Sequence, residues 1–320
     1  MKLLLPIIII SLILTSCNKD DDPVSNQEIE VGLITNKTLN ISGSNREYHI
    51  FVPQNYSNAP VVILFHGHSS DNTKLIEMTP YKVWLNKAET ENIILAIPKG
   101  LYTSEEEKGW NDCRSDAETN SNADDIMFIS TLIEEITTSY QANPNRVYIS
   151  GSSNGGHMCI KLAQEIPEKI TAFASIVSSN AVNSECSNSD IPVSALFMNG
   201  TTDPLLPYNG GQMTGNRGEV FSTQNTIDYW VNRNGTNLTP SMSEFLNINP
   251  NDNSTVELSI YSNGTNNTEV AFYKVVGGGH TEPSILERYT SPLVPFALGN
   301  QNGDIEMVEE VWSFFENKTK

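Results

Sequence analysis

Basic side chains are scarce in this chain of 320 residues: 19 Lys plus Arg stand against 38 Asp plus Glu, for a formal net charge of −19. A surface of that sign repels a phosphate backbone, so nucleic acid is excluded as a partner. Cysteine is sparse too. The four cysteines include no CxxC pair, and no His/Cys cluster has metal-ligand spacing, so neither a metal nor an organic cofactor is expected. With 20 Gly and 16 Pro and no period, collagen-like and low-complexity readings fail. Internal repeats are absent. The 38% of hydrophobic residues is slightly low for a cytosolic globule but ample for a sizeable core.

Long apolar runs are also missing. Leu3 to Leu14 is about half the length that crosses a bilayer as a helix, and Lys2 before it makes the segment read as a signal peptide, residues 1–16. The run ends in Leu14-Thr15-Ser16-Cys17, which resembles a bacterial lipobox and implies cleavage before Cys17 and acylation of that cysteine. The expected product is an exported lipoprotein held to a membrane, the outer membrane first of all, with cell-surface exposure open. Asn18-Lys19-Asp20-Asp21-Asp22-Pro23 then forms a polar tether within residues 17–28. Its acids resemble a surface-export signal of bacterial lipoproteins, or are simply a solvated linker. Residues 29–320 are read as one catalytic domain. In an oxidising compartment Cys113, Cys159 and Cys186 imply one disulfide and one free thiol, with the pairing open.

Strand and helix patterns alternate along that domain. A hairpin is expected from Val31–Ile41 and Tyr48–Val52 around Ser42-Gly43-Ser44-Asn45, followed by the uninterrupted apolar strand Val61 to Phe65. A helix from Thr79-Pro80 to about Glu91 precedes a strand at 93–97. The stripe Ile126, Ile129, Leu132, Ile133 and Ile136 marks another helix over 124–140. Strands at 146–150, 172–177 and 193–198 enclose a helix at 155–165. A hairpin-like pair, 256–262 and 270–276, lies near the sheet edge, and a helix from about Asp304 closes the chain at Phe315. The Asn/Thr-rich stretch around 236–268 reads as surface loops. This alternation predicts an α/β class with a mostly parallel sheet and helices on both faces.

Gly151-Ser152-Ser153-Asn154-Gly155-Gly156 falls between a strand and a helix, the setting of a nucleophile elbow, with Ser153 as nucleophile. A serine hydroxyl needs a base. His280, in Gly277-Gly278-Gly279-His280, is the one histidine of five that follows a downstream acid. Among the acids between them, Asp203 stands just past a strand end, where its carboxylate can hold the imidazole tautomer; Asp228 is the weaker alternative. The loop His66-Gly67-His68 follows an apolar strand. It suggests an oxyanion hole from the backbone N–H groups of Asn154 and His68, with His66 tying down the loop. Trp110 is a candidate substrate-pocket wall or a packed tryptophan, and Asp124-Asp125 are helix-start acids.

With these residues laid out, the chain resembles the polyhydroxybutyrate depolymerase-like esterases and the related feruloyl and acetyl xylan esterases of the first carbohydrate esterase family. The likeness runs through Leu64-Phe65-His66-Gly67, Ile97-Pro98-Lys99-Gly100, Trp110-Asn111, the SNGG elbow, Asn199-Gly200-Thr201-Thr202-Asp203-Pro204 and the GGGH loop. It implies an α/β-hydrolase fold and picks the same Ser153, Asp203 and His280. Three departures stand out: Asn199 where the family usually has histidine, Gln164 where it often has cysteine, and Glu282 where it often has tryptophan. The second puts the family disulfide in doubt and the third alters the pocket. The expected function is serine esterase action through an acyl-enzyme on carboxylic esters, feruloyl or acetyl groups on polysaccharide. The alternatives are polyhydroxyalkanoate depolymerase, peptidase, and a non-catalytic surface glycan-binding lipoprotein.

Overall fold

A computed structural model of the protein describes residues 29–103, 106–187 and 189–320. The expected signal peptide, the lipidation site Cys17 and the tether up to residue 28 lie outside the described residues. Ten strands form one sheet: β1 (Gly32–Ile41), β2 (Ser44–Val52), β3 (Val61–Phe65), β4 (Ile94–Pro98), β5 (Val147–Ser152), β6 (Ala172–Ile176), β7 (Ser194–Gly200), β8 (Ser241–Glu244), β9 (Thr255–Tyr261) and β10 (Val270–Val276). Their spatial order is β1-β2-β4-β3-β5-β6-β7-β10-β9-β8. The six central strands, β4 through β10 in that order, run parallel, and antiparallel pairs close each side.

Two apolar cores explain why these runs are strands. β3, β5 and β6 are buried at every residue, the pattern of strands covered on both faces. One face packs on α3 (Asp125–Ser139), α4 (Asn154–Glu165) and α5 (Thr223–Asn234) through Phe65, Ile149, Phe173 and Phe197. The other packs on α1 (Asn72–Met78), α2 (Val83–Glu91) and α6 (Met307–Phe315) through Leu64, Leu95, Tyr148 and Leu196.

Register then fixes where a site can form. Phe65 lies opposite Gly151, Ile176 opposite both Ser152 and Met198, and Gly200 opposite Val275. The loops after β3, β5, β7 and β10 therefore leave the same edge of the sheet. Chain order also reverses direction between β3 and β5, so a crevice opens at their carboxyl ends.

Several expected boundaries move for identifiable reasons. The opening turn tightens to Ser42-Gly43, whose φ values of 50° and 88° suit a two-residue hairpin. β1 carries a bulge between Ile34 and Lys37, with Asn36 at φ 58°. Thr79-Pro80 opens a short 3-10 turn, Pro80–Lys82, before α2, and α1 precedes it under an N-cap from Asp71 to the Lys74 amide. The stretch read as loops contains the edge strand β8, all four residues of which are exposed. The closing helix starts at Met307 rather than near 304. Asp304 accepts from the amides of Ile248 and Asn249, and Glu306 from those of Ile285 and Leu286, so both acids serve neighbouring loops.

The disulfide joins Cys113 to Cys186, and Cys159 is the buried free thiol. Closing a loop of 73 residues removes about 4 kcal/mol of unfolded-chain entropy. Gln164, the position where the resemblance expects a cysteine, places its Oε1 3.2 Å from Cys113 Sγ. A glutamine thus packs on the bridge instead of joining it.

Candidate active site

The turn from β5 into α4 forces Ser153 to φ 55° and ψ −123°, a region that residues with a Cβ avoid. Two glycines make the turn fit. A Cβ on Gly151 would come within 2.5 Å of the Gly155 backbone, and one on Gly155 would strike the Phe65 carbonyl. The Ser153 amide is held by the Ile176 carbonyl at 2.9 Å. The strain therefore rests on β3, β5 and β6 together, and Ser153 lines a cleft of about 290 Å³ at the sheet edge.

His280 lines the same cleft from the loop after β10. Its Nδ1 lies 2.7 Å from Oδ2 of Asp203, whose side chain is fully buried. The other Asp203 oxygen accepts from the amides of Leu205 and Leu206, each at 2.8 Å. With its acceptor sites so occupied, the carboxylate directs the imidazole proton to Nδ1 and leaves the Nε2 lone pair for the cleft. The acid and histidine loops also bind one another, the Thr202 amide and hydroxyl both donating to the Gly278 carbonyl. Asp228 lies on α5 and bonds Gln224, away from this group.

Asn154 opens α4, where a first-turn amide has no intrahelical acceptor. Its side chain is locked: Oδ1 accepts from the Trp110 amide at 2.7 Å and Nδ2 donates to Asp112 at 2.7 Å. His68 lines the cleft from the β3 side. Below it, His66 is fully buried between two backbone groups. Nδ1 donates to the Gly67 carbonyl at 2.8 Å and Nε2 accepts from the Gly100 amide at 2.9 Å, an arrangement that only the neutral ring satisfies.

Trp110 is not a cleft wall. It is fully buried, donates from Nε1 to the His66 carbonyl at 2.9 Å and packs on Phe65 with ring centroids 5.1 Å apart. Its bulk thus fixes the His66 loop from behind. Asp124 caps α3 through the Met127 amide, while Asp125 makes a buried ion pair with Arg46 at 2.6 Å. Neither acid lines the cleft around Ser153.

Two features escaped sequence reading, Arg217 and the pairing of Asp112 with Arg114, and a third, Glu282, was legible only as a departure that alters the pocket. Glu282, two residues past His280, is buried in the cleft wall, accepting from Ser152 Oγ and from Tyr289 OH at 2.5 Å each. Arg217 also lines the cleft. Behind the elbow, Asp112 is buried against Arg114. Burial alone would raise its pKa, but the guanidinium charge and hydrogen bonds win and hold it well below the carboxylate range. Only Glu282 had a signal, as a departure from the resembling family.

Burial pushes His66 down to about 4 and, with the Arg114 charge adding to it, His157 down to about 3. Unfolding lets both rings return to about 6.5 and take up protons. Stability is therefore full above about pH 6.5 and falls on acidification toward the folded values, each ring costing about 2 kcal/mol between pH 7 and pH 5. In His66→Gln, urea titrations at those two pH values should show about 2 kcal/mol less acid sensitivity than the parent. An unchanged pH difference would refute the burial account.

The fold and this edge of the sheet define a class. The phospholipase/carboxylesterase family model matches residues 47–232, and the chain belongs to that family, on an α/β-hydrolase fold. Among individual proteins, feruloyl esterase D of Neurospora crassa is 28% identical over 191 residues, 56% of this chain and 61% of that protein. A probable feruloyl esterase C of Aspergillus niger is 26% identical over 173 residues, 52% of this chain and 58% of that one. The chain thus spans less than two thirds of the length of these relatives. The solved acetyl xylan esterase from Aspergillus awamori shares the fold, with a TM-score of 0.55 over 89% of this chain and 99% of that one at 16% identity.

Proposed function

We propose that the protein is an exported, lipid-anchored serine esterase that removes feruloyl or acetyl groups from polysaccharide. One observation carries the reading: a serine held at positive φ shares a cleft with a histidine whose far nitrogen is engaged by a buried aspartate. Ser153 Oγ attacks the ester carbonyl as its proton passes to His280 Nε2. The oxyanion rests on the amides of Asn154 and His68, and His280 protonates the leaving alkoxide as the acyl-enzyme forms. Water, deprotonated by His280, then releases the acid and restores the serine. Asp203 keeps the ring in the accepting tautomer and stabilises the imidazolium. The feruloyl and acetyl xylan esterase names among the relatives support the choice of substrate.

Hydrolysis of p-nitrophenyl acetate, methyl ferulate, acetylated xylan and hydroxybutyrate oligomers by the full chain tests the substrate class. Preference for the hydroxybutyrate oligomers would replace the polysaccharide reading by a depolymerase. A folded protein inactive on all four would favour a glycan-binding lipoprotein. The anchor rests on the Leu14-Thr15-Ser16-Cys17 sequence. Labelled palmitate should enter the parent and not Cys17→Ser; equal incorporation in both would end the lipoprotein reading.

A further inference from the structure

Two charged side chains, Glu282 and Arg217, line the cleft around Ser153, and they are placed in opposite situations. Glu282 is satisfied within the protein, one oxygen accepting from Ser152 and the other from Tyr289. Arg217 is not. Of the six arginines in the chain, Arg46 and Arg114 pair with buried aspartates, Arg146 bonds Tyr148 and a carbonyl, Arg233 bonds carbonyls and covers Trp230, and Arg288 bonds carbonyls beside Asp252. Among the described residues, the Arg217 guanidinium alone has no such partner, and its Nε is buried without an acceptor. That is notable where acids outnumber bases 38 to 19.

The backbone carrying it is nonetheless firmly held. Arg217 sits at the end of a small hairpin whose strands, Gly211–Gln212 and Glu219–Val220, pair antiparallel. Its carbonyl accepts from Arg114 Nη1 at 2.6 Å, and Ala117 bridges it from the other side. Thr214 ties the same hairpin to the carbonyls of Pro204 and Leu205, directly after Asp203. A guanidinium is charged at every working pH, and a buried N–H without an acceptor is costly unless a ligand supplies one. A planar carboxylate does so with two parallel hydrogen bonds.

We propose that the ester substrate carries a carboxylate and that Arg217 binds it, making Arg217 a specificity-determining residue. The inference rests on the serine-esterase reading. The carboxylate has two chemical sources, the acyl part as the half-ester of a dicarboxylic acid or the alcohol part as a uronate sugar. In either case the guanidinium locally offsets the repulsion that a net charge of −19 exerts on an anion.

The test uses the full chain and two matched pairs of substrates: mono-p-nitrophenyl succinate against p-nitrophenyl butyrate, and acetylated glucuronoxylan oligosaccharides against acetylated xylan oligosaccharides without the uronate. Arg217→Gln should lower kcat/KM about 10- to 100-fold for the carboxylate-bearing member of one pair, chiefly through KM, and leave the neutral member within about twofold. Arg217→Lys should recover part of the loss, since the charge returns without the planar fork. The pair that responds identifies the source. Equal losses on neutral and charged members would make Arg217 a structural residue, and no change in either pair would remove it from recognition; both results overturn the proposal. Ser153→Ala on the same panel separates the failures. Loss of all hydrolysis there, with an unselective Arg217→Gln, sinks the Arg217 assignment alone, whereas hydrolysis surviving in Ser153→Ala sinks the esterase reading and this inference with it.

Discussion

Replacing Ser153 with alanine lowers kcat for ester hydrolysis by about 10⁴-fold or more and changes KM only a few-fold. The size follows from what the hydroxyl does in the proposed reaction. It forms the covalent bond, and without it His280 can at best direct a water molecule from the same cleft, with the amides of Asn154 and His68 still receiving the oxyanion. Substrate binding uses other walls of the cleft, so KM is spared. The fold should also survive. Ser153 strains the backbone at φ 55° with or without its oxygen, and its amide bond to Ile176 is main-chain. Stopped-flow and steady-state assays with p-nitrophenyl acetate, beside a melting curve, check both halves. Loss of less than about tenfold in a folded variant would remove Ser153 as nucleophile.

The second large effect is expected at Asp203. Asparagine matches its shape, but the amides of Leu205 and Leu206 require an acceptor and would claim the side-chain oxygen. The asparagine NH₂ is then turned to His280 Nδ1, a donor facing a donor. The imidazole escapes by moving its proton to Nε2, which leaves nothing to accept the Ser153 proton. Asp203→Asn should therefore lose about 10⁴-fold in kcat while unfolding at nearly the parent temperature. Asp203→Ala would lose the two amide acceptors as well and should melt lower. If Asp203→Asn kept activity within about tenfold, the aspartate would be a loop cap with no part in the chemistry.

What the sequence disclosed was local. The elbow was legible because its glycines are demanded by contacts a few residues and one neighbouring strand away, at Gly155 and Phe65. The meeting of Asp203 with His280 was legible from strand ends, since register brings Gly200 beside Val275 and so their loops together. Networks closed by distant partners left no such trace. Ser152 and Glu282 meet across 130 positions, and Arg217 reaches the cleft only because Arg114 and Thr214 hold its hairpin there. Trp110 showed the limit of composition: an aromatic beside polar residues fits a pocket wall or a buried brace, and its full burial and its hydrogen bond to His66 distinguish them. The cysteine pairing was silent for the same reason.

Both rims of the sheet bear on what happens when many copies meet. β1 is broken by its bulge, and β8 ends the other side with four exposed residues, two of them serines and one a glutamate. Neither rim offers the long flat row of free amides on which a second chain grows as an added strand. Copies held at high local density, as a membrane tether would hold them, also repel through a net charge of −19 each. The molecule is thereby suited to crowding at a surface, where a protein with an open sheet edge would polymerise.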